Sequence, residues 1–374
     1  MPAGRRILIV GGYGAFGSCV AERLARSPVL DIVLAGRSLS RSQDAATALQ
    51  SSAKATVSGI AIDATRPDLD ALRQLAPTVL INASGPYQAQ DYTLARAAIT
   101  IGAHYIDLAD ARGFVTGIGA LDVDARRAGV LVTSGASSVP ALAAAIIDLY
   151  AFGFSRLDSI AHGIVPANGY DPGVATTASI LGGVGRPFTM LIDGQWRTVF
   201  GWQGLERIGF PGLGTRWMAP CNVPDLELFP RRYPGVGTVR FSAGLEVALF
   251  QWSLSALSWA VRSGMVPKPE RLAGRLMWLK RRLRMLGSDA GGMYVRLDGL
   301  DLDGQPLAVT VHLIARNNQG PYVPAIASVV LAAKLVRGEL VTRGAMPCVG
   351  LFTLEEFRQE VADLDIEIAV TTAS

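Results

Sequence analysis

The sequence predicts an α/β chain of two domains: an N-terminal doubly wound parallel sheet, then a second α/β (α+β) domain built on a mostly antiparallel sheet. Three observations predict it. Short runs rich in Val, Ile and Leu alternate with helical patterns through about residue 150, the βαβ rhythm that builds parallel sheets. The first run, Ile7-Leu8-Ile9-Val10, leads directly into the glycine turn Gly12-Tyr13-Gly14-Ala15-Phe16-Gly17 and then a helical pattern. Beyond residue 150 hairpin signals take over, the strongest being Asp193-Gly194 between two alternating runs. With 374 residues, half of them hydrophobic and 18% charged, the chain has material for two cores and is not a disordered composition. The expected division is 1–150 for the first domain, completed by C-terminal helices in 321–374, and 151–320 for a substrate and dimerisation domain carrying a helical hairpin at 245–286.

In the first domain the pattern places strands at 6–10, 31–35, 57–62, 78–82, 104–108 and 130–133, with helices at 16–25, 42–50, 69–75, 91–101 and 121–128. Ligands of such sheets lie across the carboxyl ends of the strands, so the residues just after each strand are the informative ones. After the first, Gly12 makes a tight turn, Gly14 lets backbone N–H groups approach a pyrophosphate, and Gly17 lets the helix pack close to the sheet. Ala15 and Phe16 open that helix, whose N-terminus favours an anion. After the second comes Gly36-Arg37-Ser38, then Arg41. An NAD site usually has an acid here for the ribose hydroxyl, but Asp31 is at the wrong end of its strand. Arg37, Ser38 and Arg41 suit a 2′-phosphate instead, so the expected cofactor is NADP(H). A merely solvated basic loop is the plainer alternative.

Asp63-Ala64 follows the third strand, and Asp63 either borders an adenine or caps the next helix. Asn82-Ala83-Ser84-Gly85-Pro86-Tyr87 follows the fourth. Its small residues let Ser84, Gly85 and Pro86 approach ribose and nicotinamide, and Tyr87 either reaches the reacting centre or packs the loop. Past the fifth strand, Asp110 either faces the crevice or caps a helix. Tyr87 and Asp110 are the candidate catalytic proton donors. After the sixth, Ser134-Gly135-Ala136-Ser137-Ser138 offers hydroxyls, and Ser134 and Ser137, with Tyr87, are candidate substrate contacts.

Taken together, the glycine turn, Ala35-Gly36-Arg37-Ser38, the Asn-Ala-Ser-Gly-Pro-Tyr loop, His104-Tyr105-Ile106-Asp107-Leu108 and Ser134 to Pro140 resemble the saccharopine dehydrogenase-like oxidoreductases. The resemblance covers the first ~150 residues well and is looser beyond, at 320–324 and 344–357. It implies an NADP-type Rossmann domain with a second α/β domain inserted before the C-terminal helices, and reduction or oxidation of C=N, C=C or related bonds. It also implies Gly12, Gly14 and Gly17 at the pyrophosphate, Arg37 and Ser38 at the 2′-phosphate, and Ser84, Gly85 and Tyr87 at nicotinamide and substrate. Relatives carrying an acid where this chain has Ser137 can bind an amino-acid ammonium there, so its absence counts against saccharopine as the substrate.

In the second half a strand is expected at 161–166, a small apolar helix at 173–181, a hairpin over 189–200 and an antiparallel pair at 293–297 and 307–315. Thr353-Leu354-Glu355-Glu356 is a capping box for a late helix. Residues 245–261 and 270–286 read as adjacent helices. In the second, Leu272, Leu276, Leu279, Leu283 and Leu286 form a stripe at helical spacing beside Arg271, Arg275, Lys280, Arg281, Arg282 and Arg284. The ordinary reading buries that stripe in the core with the basic face solvated. The other lays it on an anionic membrane surface, a peripheral contact through 245–286.

Composition narrows the rest. A net charge of +4 is no nucleic-acid footprint, so the expected partner is a small-molecule substrate. Cys19, Cys221 and Cys348 are scattered and read as reduced thiols of a cytoplasmic protein, and the N-terminal apolar run is too short for a signal peptide. No Cys/His cluster has zinc spacing and no tyrosine has Lys four residues on, so direct hydride transfer remains. The expected protein is an NADPH-dependent oxidoreductase and homodimer acting on a small or apolar C=N, C=C or C=O substrate. A non-catalytic NADPH-binding sensor or membrane-associated scaffold is the alternative.

Overall fold

A computed structural model describes residues 5–373, without the side chains of Ala175 and Arg284. The chain forms two compact units, 1–142 with 321–360, and 143–320 with 361–374.

The first unit alternates strand and helix in chain order: β1 (Arg6–Val10), α1 (Ala15–Leu24), β2 (Asp31–Gly36), α2 (Leu39–Gln50), β3 (Thr56–Ala61), α3 (Leu69–Leu75), β4 (Val79–Asn82), α4 (Thr93–Thr100), β5 (His104–Asp107), α5 (Arg112–Gly117), α6 (Asp122–Arg127) and β6 (Leu131–Ser134). After the second unit, the chain returns with α12 (Ile326–Arg337), β15 (Gly344–Pro347) and α13 (Leu354–Glu360). The seven strands are ordered β15-β6-β5-β4-β1-β2-β3, all parallel. Strand order reverses between β1 and β4, where a doubly wound sheet opens a crevice at its carboxyl edge. Ile7, Leu8, Ile9, Leu80 and Ile81 are wholly buried, as continuous apolar strands covered on both faces must be.

Two expectations change here. The helix expected at 121–128 is α6, but a further short helix, α5, precedes it and is joined to it by a 3₁₀ turn at Ile118–Leu121. The tail at 321–374 is not helical throughout: β15 adds a seventh strand, and Ile366–Ala373 pairs in the second unit's sheet. The alternating Ile366-Glu367-Ile368 has the period of a strand, not of a helix. The capping box forms as its sequence requires, with Thr353 N–H donating to Glu356 Oε2 at 2.8 Å and Glu356 N–H donating to Thr353 Oγ1 at 3.2 Å.

The second unit comprises α7 (Ala143–Tyr150), β7 (Phe154–Val165), α8 (Gly173–Gly183), β8 (Pro187–Ile192), β9 (Gln195–Phe200), β10 (Glu206–Phe210), β11 (Gly214–Pro220), α9 (Asp225–Arg232), β12 (Thr238–Gly244), α10 (Ala248–Arg262), α11 (Ala273–Arg282), β13 (Gly291–Asp301), β14 (Pro306–Ala315) and β16 (Ile366–Ala373). Its sheet runs β10-β11-β12-β7-β13-β14-β16, with the β8–β9 hairpin attached through β12. Only the β12–β7 pair is parallel. Asp193 and Gly194 turn the hairpin at φ 51° and 74°, the left-handed pair that a two-residue loop needs.

Residues 270–286 do not form one helix with a buried leucine stripe. The α-helical part is Ala273–Arg282, flanked by 3₁₀ turns. Ala273 and Met277 face inward, whereas Leu276, Leu279 and Leu286 are exposed. The stripe's spacing is helical, but the 3₁₀ turns interrupt it, and the small Ala273 and flexible Met277 take the core side. Arg284's side chain lies outside the described residues.

Candidate functional site

The site is built at the carboxyl edge of the first unit's sheet, on both sides of the β1/β4 boundary. Gly11, not Gly12, makes the left-handed turn (φ 83°). A Cβ on Gly11 would lie 2.8 Å from the Ala83 carbonyl and 2.9 Å from Ser84 N, so the glycine turn and the loop after β4 meet backbone to backbone. Gly14 N–H donates to Gly11 O at 2.9 Å and closes the turn. A Cβ on Gly17 would fall 2.1 Å from Gly11 O, which is why the third glycine is obligatory for helix packing. Gly14 is the N-cap of α1 and, having no side chain, leaves the helix end open to an anion; Ala15 and Phe16 form its first turn.

After β2, Ser38 and Arg41 gather on Tyr13. A Cβ on Gly36 would strike the Tyr13 ring at 2.4 Å, so Gly36 lets that ring approach the strand end closely. The Tyr13 hydroxyl accepts from Ser38 N–H at 3.4 Å, and the Arg41 guanidinium stands 4.5 Å over the ring. Arg37 and Arg41 are exposed, while Ser38 is half-buried as the N-cap of α2. No sequence signal shows that Tyr13, inside the glycine turn, contacts the loop after β2; its close approach to Gly36 is a tertiary fact. Asp63 is exposed and accepts from Thr65 N–H and Oγ1 at 2.9 and 2.8 Å. Those bonds, with the nearby Arg37, hold its carboxyl below the usual range. It therefore closes a local turn within reach of Arg37's field, and Ala64 beside it is half-buried.

The loops after β4, β5 and β6 are tied by a buried polar chain. Asn82 accepts from Ser84 N–H and Oγ at 3.0 and 2.5 Å and donates to the Tyr105 hydroxyl at 3.1 Å. Tyr105 lies against Asp107. One Asp107 oxygen accepts from Ala109 N–H, Gly135 N–H and Ser134 Oγ at 3.0, 2.9 and 2.8 Å. Burial pushes Asp107 up from 3.8 to about 6, against the lowering effect of those hydrogen bonds. Gln90 closes the outer end, donating to the Ser84 and Pro86 carbonyls at 2.6 and 3.1 Å. Strand alternation puts Tyr105 and Asp107 on one face of β5, and that is the signal a sequence offers. That they brace three loops cannot be read without the register.

This chain corrects several expected roles. Tyr87 is buried, its hydroxyl donates to Asn82 O at 2.7 Å, and its ring packs 5.5 Å from Phe114. Burial holds the phenol well above its ordinary value. It braces the loop and does not present a free proton. Ser134 is fully buried and spent on Asp107, and Ser137 is buried in the turn after β6, so neither is displayed as a substrate contact. The Tyr87 hydroxyl satisfies a buried carbonyl and the Ser134 hydroxyl a buried carboxylate, partners that such groups need once out of water. Gly85 and Pro86 are exposed at the loop tip, and Ser84 is half-buried beneath them. Asp110 is exposed, yet crowding by the surrounding protein raises its carboxyl.

NADP(H) fits this edge on the structure's own terms. The glycine backbone fills the space that any Cβ would need, a helix end without a side-chain cap adjoins it, and two exposed arginines and a serine flank it. Residues 7–143 match the family model described as the saccharopine dehydrogenase NADP binding domain. No curated protein matches the chain. Among solved structures, apo saccharopine dehydrogenase (L-Glu forming) from Saccharomyces cerevisiae is similar over 99% of this chain and 100% of its own, with 15% identity and a TM-score of 0.70. Amine dehydrogenase from Mycobacterium smegmatis is similar over 92% of this chain and 94% of its own, with 13% identity and a TM-score of 0.50. The fold and the crevice define the class, an NADP-binding oxidoreductase. Its nucleotide domain is of the saccharopine dehydrogenase type, and the whole chain shares the fold of saccharopine dehydrogenase. Among the described residues no helix is long and apolar enough to cross a membrane.

Proposed function

We propose that this chain transfers a hydride from NADPH to a small or moderately apolar substrate carrying a C=N, C=C or C=O bond. The observation that carries the proposal is the backbone contact of the glycine turn at Gly11 with the loop at Ala83 and Ser84. The contact brings a glycine turn suited to a pyrophosphate and a loop of small residues together at one switch point, which supports the reading. In this reading Gly12, Gly14 and Gly17, with the open end of α1, hold the pyrophosphate. Arg37, Ser38 and Arg41 hold the 2′-phosphate, with Tyr13 fixing Arg41 in place. Ser84, Gly85 and Pro86 border the ribose and nicotinamide. NADPH held by these residues would supply the hydride for the carbon of the substrate's double bond.

The other atom of that bond then needs a proton. Of the two candidate donors, Asp110 is the one we assign, because it is exposed just past the end of β5 while the Tyr87 hydroxyl is committed to a carbonyl. Solvent can return the proton to Asp110 after each turnover. A panel of imines, enones and ketones assayed with 4-deuterated NADPH tests the reading. Deuterium should appear in a product of one class, and Asp110→Asn should lower kcat by about 10²-fold or more while leaving NADPH affinity unchanged. Tight NADPH binding with no deuterium transfer to any class would instead make the chain a cofactor-binding sensor or scaffold.

A further inference from the structure

We infer that the α10–α11 face of the second unit docks on an anionic membrane surface. Helix α10 has no charged residue before Arg262, although one side of it faces solvent. Gln251, Leu254, Ser255, Ser258 and Val261 are its buried face. Opposite them stand Leu249, Trp252 and Trp259, and on α11 Leu276, Trp278 and Leu279 are likewise exposed. The three tryptophans are 50%, 56% and 61% exposed. Both helices root in one core, which includes Leu254 and Val261 of α10 and Ala273 of α11. A soluble surface of Trp and Leu on this scale calls for a covering partner.

Charge identifies the partner. Residues 248–286 hold eight basic side chains and a single acid, Glu270, in a chain whose whole net charge is +4. The rest of the chain is therefore net acidic; of the eight, Arg281 is paired with Asp171 of the neighbouring segment, and Arg262 and Arg282 stand beside Trp259 and Trp278. An isologous contact with a second copy would set this excess of seven positive charges against an identical one, which disfavours self-association through this face. An anionic lipid surface matches both features. Tryptophan settles at the headgroup level, leucine enters the acyl boundary, and arginine and lysine meet the lipid phosphates. Arg271 and Arg275 are exposed, and the Arg282 guanidinium stands 5.3 Å from the ring of Trp278 on the same helix.

Full-length protein is sedimented with phosphatidylcholine vesicles and with vesicles of phosphatidylcholine and phosphatidylglycerol, at low and high salt. Binding to the anionic vesicles, lost at high salt, is expected. Arg271→Glu with Arg275→Glu should weaken it by about tenfold or more. Trp252→Ser with Trp259→Ser should weaken it without changing its salt dependence. NADPH affinity serves as the check that each variant is folded, and it also keeps this test separate from the fate of the catalytic reading. Equal binding to neutral and anionic vesicles, or none to either, overturns the inference. So does a concentration-dependent dimer that the tryptophan variants abolish, or retention on immobilised polyglutamate without vesicle binding, which would assign the face to a second copy or an acidic protein.

Discussion

Gly17→Ala is the sharpest local change that can be made to the cofactor cradle. The added Cβ would lie 2.1 Å from Gly11 O, 2.8 Å from Gly11 C and 3.0 Å from Gly12 Cα, against an ordinary contact of 3.4 Å or more. All three neighbours are backbone, so no side chain can rotate away, and α1 and the turn must part by about 1 Å, an overpacking that costs about 1–3 kcal/mol. The displaced pieces are the ones assigned to the pyrophosphate. If the cofactor draws them back together, binding must supply that strain, and each 1.4 kcal/mol is tenfold in Kd. NADPH affinity should therefore fall by about tenfold or more, with a lower melting temperature that NADPH no longer raises. Gly113→Ala is the control. It lies within α5 of the same unit, and its Cβ would meet nothing within 4 Å. It should leave NADPH affinity unchanged and raise stability by up to about 1 kcal/mol. Fluorescence titration of NADPH and thermal melts read both. Equal affinities for Gly17→Ala and wild type would refute the placement of the pyrophosphate at this turn.

Other outcomes follow from the same geometry. Asp107 is raised to about 6, so the folded chain keeps a proton that the unfolded chain loses near pH 4. Its stabilising contribution is full below pH 4 and is lost as pH rises through 6, by up to about 3 kcal/mol. Asp107→Asn should thus gain on wild type between about pH 4 and 7.5, read by amide exchange at Ala109 and Gly135; a pH-independent difference contradicts this. Tyr87→Phe should cost about 1 kcal/mol of stability and leave kcat within a few-fold, since its hydroxyl serves Asn82 O; a hundredfold fall in kcat would restore it as the proton donor. His162, wholly buried 3.5 Å from Asp225, is lowered to about 3 by desolvation, while burial raises Asp225. The unfolded His162 takes a proton below about pH 6.5 that the folded one refuses, so its contribution is lost as pH falls from 6.5 toward 3, by about 1.4 kcal/mol per pH unit. His162→Gln should flatten the acid limb of urea melts followed by tryptophan fluorescence, which reports the second unit because all six tryptophans lie there; unchanged slopes contradict it.

The first unit was legible because its signals are local. Buried parallel strands are apolar runs, and the turn glycines are required by backbone contacts a few residues apart, so β1 to β6 and the glycine turn could be found from order alone. The site's interior was less legible. Asn82, Tyr105, Asp107 and Ser134 are joined by strand register, which brings residues from 82 to 134 within hydrogen-bond reach, and nothing in their spacing says so. The hydroxyls of Tyr87 and Ser134 were visible as chemistry but not as already committed bonds. In the second unit, β10, β11, β12 and β16 carry mixed patterns, because their faces are half-buried and their partners are distant in sequence. The leucines of 272–286 show the limit most plainly. Periodicity reveals a stripe, but only packing decides whether Met277 or Leu276 faces the core.

The proposed choice of NADPH over NADH rests on Arg37 and on Arg41, which stands over the Tyr13 ring, as the proposed readers of the 2′-phosphate. Calorimetric titration of NADPH and NADH into wild type, Arg37→Ala and Arg41→Ala decides it. Each charge-assisted contact is worth about 1.5–3 kcal/mol, so NADPH should bind wild type tighter than NADH by about tenfold or more, and each variant should lose about tenfold or more for NADPH with little change for NADH. Equal affinity for the two cofactors in wild type, or equal losses for both in the variants, would contradict it.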